Sequence, residues 1–331
     1  MVTSHDVARL AGVSQPTVSR ALRDNPKVSE ETKQRVRDAA RALGYVPSET
    51  GRALSSGRTR RIGLLLTDLE NQFYPYVIAP MHRELQGLGY QLVLQTETSD
   101  TGQVTERLLA NGLDGVLLAT TTLDSLLPAR LRERGVPFVY FNRVSDSVDA
   151  DRAVVDSSGG LREAADTIVA LGHRRVGGIF GPRNTSTGQL REAALRHALE
   201  EHEVGIGLRY SHWGPFDFAT GYNGASRLLD QAQPPTVIVC GNDVVALGAL
   251  NAARVLGLSV PGQLSIVGFD DLPVASWPIV QLTTVAFDLD AMARAAAALL
   301  VERLEGDPDR PFQVKAFPSR LVQRETLAPP G

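Results

Sequence analysis

The polar side chains with the clearest chemistry lie within residues 6–22 and share one face of a predicted helix. Gln15, Pro16, Ser19 and Arg20 follow a helical spacing that turns them away from the apolar positions between them. A glutamine amide can bind adenine and an arginine guanidinium can bind guanine in the major groove, each worth roughly 1–3 kcal/mol of discrimination. The stretch therefore predicts a surface that reads DNA bases. The alternative is an ordinary pair of helices in a small bundle.

Two short amphipathic helices that meet at a tight turn would position this surface. Gly12 supplies the permissive backbone of the turn, Ser14 can cap the second helix, and Pro16 in the first helical turn costs no hydrogen bond. The residues predicted to face the core are Val7, Ala8, Leu10 and Ala11 in the first helix and Val18, Ala21 and Leu22 in the second. This is the layout of a helix-turn-helix.

A third helix is predicted to begin after Ser29, its N-cap, and to end at Gly44. Its apolar positions are Val36, Ala39, Ala40 and Leu43. Their helical spacing predicts that the third helix closes a core with the first two. About 45 residues bury only a small core, so we expect this unit to be marginally stable by itself.

Residues 48–61 are basic and contain one large apolar side chain, Leu54. Ser48 can cap a short helix that reaches Ser55, and Arg52 lies within it. A flexible linker is one interpretation of this segment. Beside a helix-turn-helix the better one is a leucine that inserts between base steps in the minor groove.

Charge divides the chain in two. Residues 1–61 carry 12 Lys and Arg against 6 Asp and Glu, a balance of +6, whereas the remainder carries 22 against 31, a balance of −9. A basic head on an acidic body favours contact with phosphates through the head alone. The single cysteine excludes an internal disulfide framework and a cysteine metal cluster. Without a signal-peptide pattern or a membrane-spanning apolar run, we expect a cytoplasmic protein.

From Arg61 onward the pattern alternates short apolar strands with helices, which is typical of parallel sheets covered on both faces. About 270 residues of such units exceed one sheet, so we predict two doubly wound parallel-sheet lobes that bind ligand at the carboxyl ends of their strands. The predicted strands are 62–67, 91–96, 115–119, 138–142, 176–180, 236–240 and 265–269. The predicted helices are 73–88, 103–112, 124–134, 158–171, 188–203, 218–231, 243–256 and 288–305.

An enzyme is not expected. The six histidines show no HExxH or other metal-ligand spacing, and no glycine-rich phosphate loop is present. Asp270 and Asp271 are adjacent carboxylates, but neighbours on a strand point to opposite faces. The sequence thus predicts neither a catalytic residue, nor a cofactor, nor a bound metal.

In its motifs the chain resembles the lactose-repressor (LacI/GalR) family of bacterial transcription regulators, from Asp6 to about Arg324. The segments that carry the resemblance are DVARLAGVSQPTVSRAL, VSEETKQRV, ALGYVP, TRRIGLLL, LGHRRVGGIFGP, CGNDVVALGAL, GLSVPGQLSIVGFDD and LTTV. No single segment is decisive, but their order and spacing together are very specific. The resemblance implies an all-α helix-turn-helix headpiece and an α/β body like a periplasmic binding protein.

The resemblance also implies a homodimer on a near-palindromic operator in double-stranded DNA. Gln15, Pro16 and Arg20 occupy the base-reading positions of the family, and Pro16, which has no donor, can only offer an apolar face to a thymine methyl. Leu54, with Arg52, corresponds to the minor-groove hinge. The residues expected at the DNA backbone are Thr17, Ser19 and Asn25.

The chain departs from the family pattern at two places. Ser4 stands where the family usually has an apolar residue, and Gly51 replaces the usual alanine before Arg52. Glycine costs a helix interior roughly 0.5–1 kcal/mol, so we expect this short helix to be unfolded without operator.

The family closes its two lobes on a small effector. The residues carried over to its pocket are Phe73, Asn142, Arg191, Phe216, Asn242 and Asp270. An arginine and an aspartate can bind vicinal hydroxyls, amides offer donors and acceptors, and aromatic rings stack on a sugar face. Trp277 is a further stacking candidate, with ordinary packing as the alternative for each aromatic residue. Arg143 would suit an acidic ligand, unless it pairs with an aspartate at the surface.

These observations together predict a repressor of carbohydrate-catabolism genes whose operator affinity is changed by a sugar or sugar derivative. A purine- or nucleoside-responsive regulator is the alternative, and a solute-binding receptor is a more distant one. The predicted domains are a headpiece of residues 1–47, a hinge and linker of 48–61, and an effector-binding body of 62–331. Within the body we expect an N-lobe of 62–156 and 288–316 and a C-lobe of 157–287 and 317–331.

Overall fold

The computed structural model describes residues 2–22, 24–45, 58–66, 69, 71–96, 106, 108 and 112–331. The chain divides into two compact units, Met1–Thr59 and Arg60–Gly331. None of the helices among these residues is both long and apolar enough to cross a membrane.

Among its described residues, the first unit contains three helices, α1 (Ser4–Ala11), α2 (Gln15–Leu22) and α3 (Glu30–Ala42). Gly12 ends α1 in the left-handed conformation, with φ of 65°, as the tight turn requires. Ser29 caps α3 by accepting a hydrogen bond from the Thr32 N–H at 3.3 Å. The buried core consists of Val7, Ala8, Ala11, Val18, Ala21, Val36, Ala39 and Ala40. The predicted three-helix arrangement is confirmed.

Leu10 corrects the predicted core, because its side chain is 56% exposed. At about 100° per residue, Val7, Ala8 and Ala11 fall within an arc of about 100°, and Leu10 lies about 60° outside it. The helical period, rather than the apolar character of the residue, decides which side faces inward.

The second unit, which we call the body, contains two six-stranded sheets. The first sheet, in the N-lobe, has the order β11-β5-β4-β3-β1-β2, and all of its strands are parallel. Its strands are β1 (Arg61–Leu66), β2 (Gln91–Thr96), β3 (Gly115–Leu118), β4 (Phe138–Phe141), β5 (Arg152–Asp156) and β11 (Val314–Pro318). Its helices are α4 (Phe73–Gly87), α5 (Leu127–Glu133) and α10 (Leu289–Glu305).

The second sheet, in the C-lobe, has the order β12-β10-β9-β8-β6-β7, and β12 alone runs antiparallel to its neighbour. Its strands are β6 (Val176–Phe180), β7 (Ser211–Trp213), β8 (Val237–Cys240), β9 (Ser265–Phe269), β10 (Thr283–Ala286) and β12 (Arg320–Val322). Its helices are α6 (Ser158–Ala170), α7 (Ser186–Glu200), α8 (Phe218–Leu229) and α9 (Asp243–Val255). Short 3₁₀ turns cover Leu208–Tyr210 and Pro273–Ser276.

The chain crosses between the lobes three times, after β5, after β10 and between β11 and β12. Ser319 joins the first and third crossings, because its hydroxyl donates to the Asp156 carbonyl at 2.7 Å and accepts from the Gly160 N–H at 3.1 Å. The first and third crossings are therefore connected by hydrogen bonds.

The predicted fold of a helical head and two doubly wound lobes is confirmed. Five short strands, β5, β7, β10, β11 and β12, were not predicted, and all of them lie beside a crossing or at the edge of a sheet. Four of them are partly exposed, and β10 is buried but begins with two threonines, so none has the continuous apolar run of a central parallel strand. The helix predicted at 103–112 lies almost wholly outside the described residues.

Candidate functional site

The residues predicted to read bases lie on α2, opposite the buried Val18 and Ala21. Pro16 and Arg20 are exposed, and Gln15 is half-buried. The helix core therefore leaves these three side chains on the outer face, where a groove of DNA can be reached.

Ser4 contacts one of these residues. The Gln15 side-chain N–H donates to the Ser4 hydroxyl at 3.3 Å, so the polar residue that departs from the family pattern holds one amide hydrogen of Gln15. The second amide hydrogen and the carbonyl oxygen stay available, which are the two groups that adenine needs.

The residues predicted at the DNA backbone show two local hydrogen bonds. The Thr17 hydroxyl pairs with that of Ser14 at 2.8 Å, and the Ser14 carbonyl accepts the first backbone hydrogen bonds of α2 from the N–H groups of Thr17 and Val18. The side-chain Oδ1 of Asn25 accepts from the Lys27 N–H at 2.9 Å, which leaves the side-chain amide hydrogens as donors. Ser19 is half-buried on α2. Arg52 and Leu54 lie outside the described residues, and so does the predicted hinge helix.

In the body, a cavity lies between the lobes at the carboxyl ends of the parallel strands. It has a volume of about 30 Å³. Its lining residues are Asn71, Phe73, Tyr74, Ala119, Asn142, Arg143, Thr187, Arg191, Phe216, Asn242 and Asp270. We call it the cleft cavity. Seven of the eight predicted effector residues meet there.

An ion pair between Arg191 and Asp270 forms the floor of the cleft cavity. The guanidinium of Arg191 donates to Asp270 Oδ1 at 3.0 Å and to the Gly241 carbonyl at 2.7 Å, and it lies 3.7 Å from the ring centre of Phe269. Both charged side chains are buried, at 8% and 3% exposure. Burial raises the pKa of Asp270 to about 6, and the nearby Arg191 charge opposes this rise.

Asn242 has a narrower role than its side chain alone suggests. It caps α9, because its Oδ1 accepts from the Val245 N–H at 2.9 Å. Only its amide hydrogens remain for a ligand. The neighbouring Asp243 is fully buried and accepts hydrogen bonds from the Thr284 hydroxyl and the Leu272 N–H, and burial raises its pKa well above the usual range. Asp243 therefore stabilises the residues that lie behind the floor of the cleft cavity.

Two polar atoms of the cavity wall, Asn142 Oδ1 and Thr187 Oγ1, are buried and have no hydrogen-bond partner within the described residues. Asn142 follows β4 with a φ of 63°, and its N–H donates to the Ala153 carbonyl at 2.8 Å. Unsatisfied buried oxygens cost free energy, which a ligand with hydrogen-bond donors would recover.

Arg143 also lines the cavity, with its guanidinium 5.4 Å from the ring centre of Phe216. Burial lowers its pKa. No carboxylate of the described residues lies within ion-pair distance of it, so the alternative of a surface pair with an aspartate is not what the structure has. Asp270 is thus the one carboxylate beside two guanidinium groups in the described lining.

Trp277 does not line the cavity, which corrects its assignment as a stacking residue. It ends the 3₁₀ turn of Pro273–Ser276 and is 55% exposed. The sequence distance from Asp270 is short, but the turn directs the chain out of the cleft.

The sequence analysis missed four lining residues, Asn71, Tyr74, Ala119 and Thr187. Asn71 joins the lobes, because its Nδ2 donates to the Phe216 carbonyl at 2.9 Å while its Oδ1 accepts from the Phe73 N–H at 3.0 Å. Asn71 and Ala119 follow the carboxyl end of a parallel strand directly or by a few residues, and Tyr74 and Thr187 lie at the start of the next helix. Applying that rule to every strand would have found them.

The raised pKa of Asp270 predicts a pH-dependent stability. The pKa of Asp270 is about 6 in the folded state and about 3.9 in the unfolded state, so the folded protein binds the proton more tightly. Proton binding therefore stabilises the folded state at low pH, and this stabilisation is lost as the pH rises from about 4 to 6. Asp270→Asn cannot titrate. We expect its free energy of unfolding, relative to the wild type, to rise by about 2 kcal/mol between pH 4.5 and 7, at roughly 1.4 kcal/mol per pKa unit.

Both tryptophans, Trp213 and Trp277, lie in the C-lobe, so their fluorescence during urea unfolding measures this quantity. Asp270→Asn also removes the partner of Arg191 and lowers stability at every pH, so only the pH-dependent part is diagnostic. Asp271→Asn is the matched control, because Asp271 pairs with Arg324 at 2.6 Å outside the cavity lining. An equal pH dependence in Asp270→Asn and the wild type would contradict the assignment.

Comparison with known proteins places these sites in a family. Residues 3–48 match the model of bacterial regulatory proteins of the lacI family, and residues 165–327 match that of a periplasmic binding protein-like domain. The HTH-type transcriptional repressor PurR of Pectobacterium carotovorum subsp. carotovorum (strain PC1) is 31% identical over 334 residues, covering 99% of this chain and 97% of that protein. The PurR protein of Escherichia coli O139:H28 (strain E24377A / ETEC) is also 31% identical, with the same coverage.

Solved structures agree over nearly the full length. The lac repressor dimer bound to operator and the anti-inducer ONPF superimposes with a TM-score of 0.87 at 26% identity, covering 99% of each chain. The CelR–cellobiose complex, a transcriptional regulator, has a TM-score of 0.74 at 31% identity, covering 99% of this chain and 100% of that one. The chain belongs to the lacI family of bacterial regulatory proteins, which are DNA-binding transcription regulators and not enzymes.

Proposed function

We propose that the chain represses carbohydrate-catabolism genes in the cytoplasm, and that a sugar or sugar derivative in the cleft cavity changes its affinity for operator DNA. The observation that carries this proposal is the buried Arg191–Asp270 pair at the floor of a cavity between two lobes. A buried ion pair with one carboxylate oxygen engaged by its partner leaves the second oxygen to accept from a ligand hydroxyl.

The remaining groups of the cavity suit a hydroxylated ring. Asn242 offers amide hydrogens, Asn142 and Thr187 offer unpartnered oxygens, and Phe216 offers a ring face near two guanidinium groups. The ligands bound in similar structures support a small-molecule effector, since CelR was solved with cellobiose and the lac repressor with ONPF. A purine or nucleoside is the alternative, because Phe73 and Phe216 could stack on a base and several relatives are named PurR.

Lobe closure is the step through which we expect the effector to act. Among the described residues, three hydrogen bonds join the lobes. They run from Asn71 Nδ2 to the Phe216 carbonyl, from the Leu123 N–H to the Asn184 carbonyl, and from the Val144 N–H to the Ser186 hydroxyl. At about 30 Å³ the cleft cavity is smaller than a sugar ring, so the cleft must widen to admit an effector before the lobes close around it. A ligand that binds the closed form better than an open one shifts the equilibrium by that difference in affinity.

The proposed DNA complex is a homodimer on a near-palindromic operator. Gln15, Pro16 and Arg20 would contact base edges, and Thr17, Ser19 and Asn25 would contact phosphates. Arg52 and Leu54 stay predicted minor-groove residues. The effector would change the dimer contacts of the N-lobes and with them the spacing of the two DNA-binding units, by a coupling free energy of typically 1–3 kcal/mol.

An effector screen tests the proposal. The operator is first selected from randomised duplexes, and operator affinity is then measured at fixed salt with sugars, sugar acids, purines and nucleosides. We expect one sugar class to change the affinity by roughly 5- to 150-fold, in either direction. A response to purines or nucleosides alone would replace the sugar with the alternative effector, and no response to any of them would contradict the proposal.

The base-reading assignment has a separate test in Arg20→Ala. We expect this variant to lose roughly 1–3 kcal/mol of operator affinity and its preference for guanine at one position of each half-site. Leu54→Ala should lower affinity while keeping the same base preference. Arg41→Ala is the matched control, because Arg41 is a similarly exposed arginine on α3. Wild-type affinity and base preference in Arg20→Ala, at the same salt, would refute the assignment.

A further inference from the structure

A second cavity adjoins the cleft cavity. It has a volume of about 250 Å³ and lies between α7 and the strip where β5 and β11 approach the lobe crossings. We call it the crossover cavity. Asn142, Thr187 and Arg191 line both cavities, so these three residues form the boundary between them.

The two volumes differ strongly. The cleft cavity, at about 30 Å³, is much smaller than the roughly 300–1,000 Å³ that drug-sized ligands occupy. Two larger cavities adjoin it: the crossover cavity, which shares Asn142, Thr187 and Arg191 with its lining, and a cavity of about 320 Å³, which shares only Asp270. A ligand anchored at Arg191 and Asp270 needs the cleft cavity to widen around its anchored part, and its extension past the boundary finds room in the crossover cavity.

The boundary between the two cavities carries polar atoms that can bind a ligand. Asn142 Oδ1 and Thr187 Oγ1 are both buried without a hydrogen-bond partner, and the Thr187 residue is only 7% exposed. A ligand hydroxyl at this boundary can donate to one of these oxygens. The hydroxyl of Thr187 can in turn donate to a linking oxygen. The residues of the boundary thus suit the oxygen-rich edge of a ring and the linkage that leaves it.

Beyond the boundary the walls are mainly aliphatic, and Arg152, Ser157 and Ser186 are the polar residues among them. The side chains of Val144, Val154, Val155, Leu190 and Val314 line the crossover cavity. No carboxylate of the described residues lines it, and the guanidinium of Arg191 is already engaged by Asp270 and Gly241. A cavity of about 150 Å³ lined by aliphatic side chains takes up benzene, so about 250 Å³ has room for an aromatic ring.

We propose that the effector is a glycoside with an apolar aglycone. Its sugar ring binds in the cleft cavity, and the aglycone passes between Asn142 and Thr187 into the crossover cavity. This inference rests on the proposed sugar effector and names its class more closely. The apolar part supplies affinity by leaving water, while the polar boundary fixes which end of the molecule enters.

The probes are methyl and phenyl α- and β-D-glucopyranosides and galactopyranosides, titrated calorimetrically into the full chain. We expect at least one phenyl glycoside to bind 10-fold or more tightly than the methyl glycoside of the same sugar and anomer. Leu190→Trp should reduce this advantage to less than 3-fold and leave the methyl glycoside within 2-fold of its wild-type affinity. Leu190 is 59% exposed, so the larger ring does not disturb the core.

Two further variants make the result specific. Leu208→Trp is the matched control, because Leu208 is 77% exposed and outside both cavity linings, and it should keep the full phenyl advantage. Val154→Thr keeps the shape of the wall but adds a hydroxyl group, and it should also weaken the phenyl glycoside selectively. Val154→Thr thus tests the same cavity independently if the tryptophan of Leu190→Trp turns toward solvent.

The possible failures are distinguishable. Equal affinity for methyl and phenyl glycosides overturns the apolar aglycone and leaves the sugar effector standing. Tighter binding of cellobiose or of a carboxyphenyl glycoside than of the phenyl glycoside overturns it in favour of a polar or anionic group, which Arg152 in the cavity wall would receive. No binding of any glycoside, monosaccharide or disaccharide contradicts the sugar effector and the inference with it.

Discussion

The buried ion pair between Arg191 and Asp270 is the interaction on which the cleft depends. Removing two charges from water is expensive, and replacing such a pair with well-packed apolar residues is often neutral or stabilising. Here the guanidinium is further held by the Gly241 carbonyl and the face of Phe269, and burial raises the pKa of the Asp270 carboxyl. A costly pair at the carboxyl ends of the strands, with cavity space beside it, is best explained by ligand binding.

The cleft is complete only when the lobes approach each other. Arg191, Asn242 and Asp270 belong to the C-lobe, whereas Asn142 and Arg143 follow β4 of the N-lobe. Asn71 fixes the approach by donating across the cleft to the Phe216 carbonyl. Ligand affinity and lobe closure therefore depend on the same contacts, which is the condition for an effector to bias a conformational equilibrium.

Much of the fold was predictable, because the central strands are continuously apolar and the helices keep a helical period. The edge strands were not, since β11 and β12 are partly exposed and depend on pairing with distant strands. For the cleft cavity, the sequence patterns predicted which residue types lie at the strand ends, but they did not predict the directions of the side chains. Trp277 therefore seemed a candidate until its turn was known, and Asn242 turned out to use its carbonyl oxygen as a helix cap. The unpartnered oxygens of Asn142 and Thr187 depend on packing between lobes, which no local pattern encodes.

The most direct test of the central claim is the double variant Arg191→Met/Asp270→Leu, measured for both its free energy of unfolding and the response of its operator affinity to the effector found by screening. Apolar side chains of similar volume fill the space of the pair. If the pair is kept for ligand binding, the double variant unfolds with a free energy close to or above that of the wild type, binds operator, and no longer responds to the effector. A folded double variant that retains the full effector response would contradict the account.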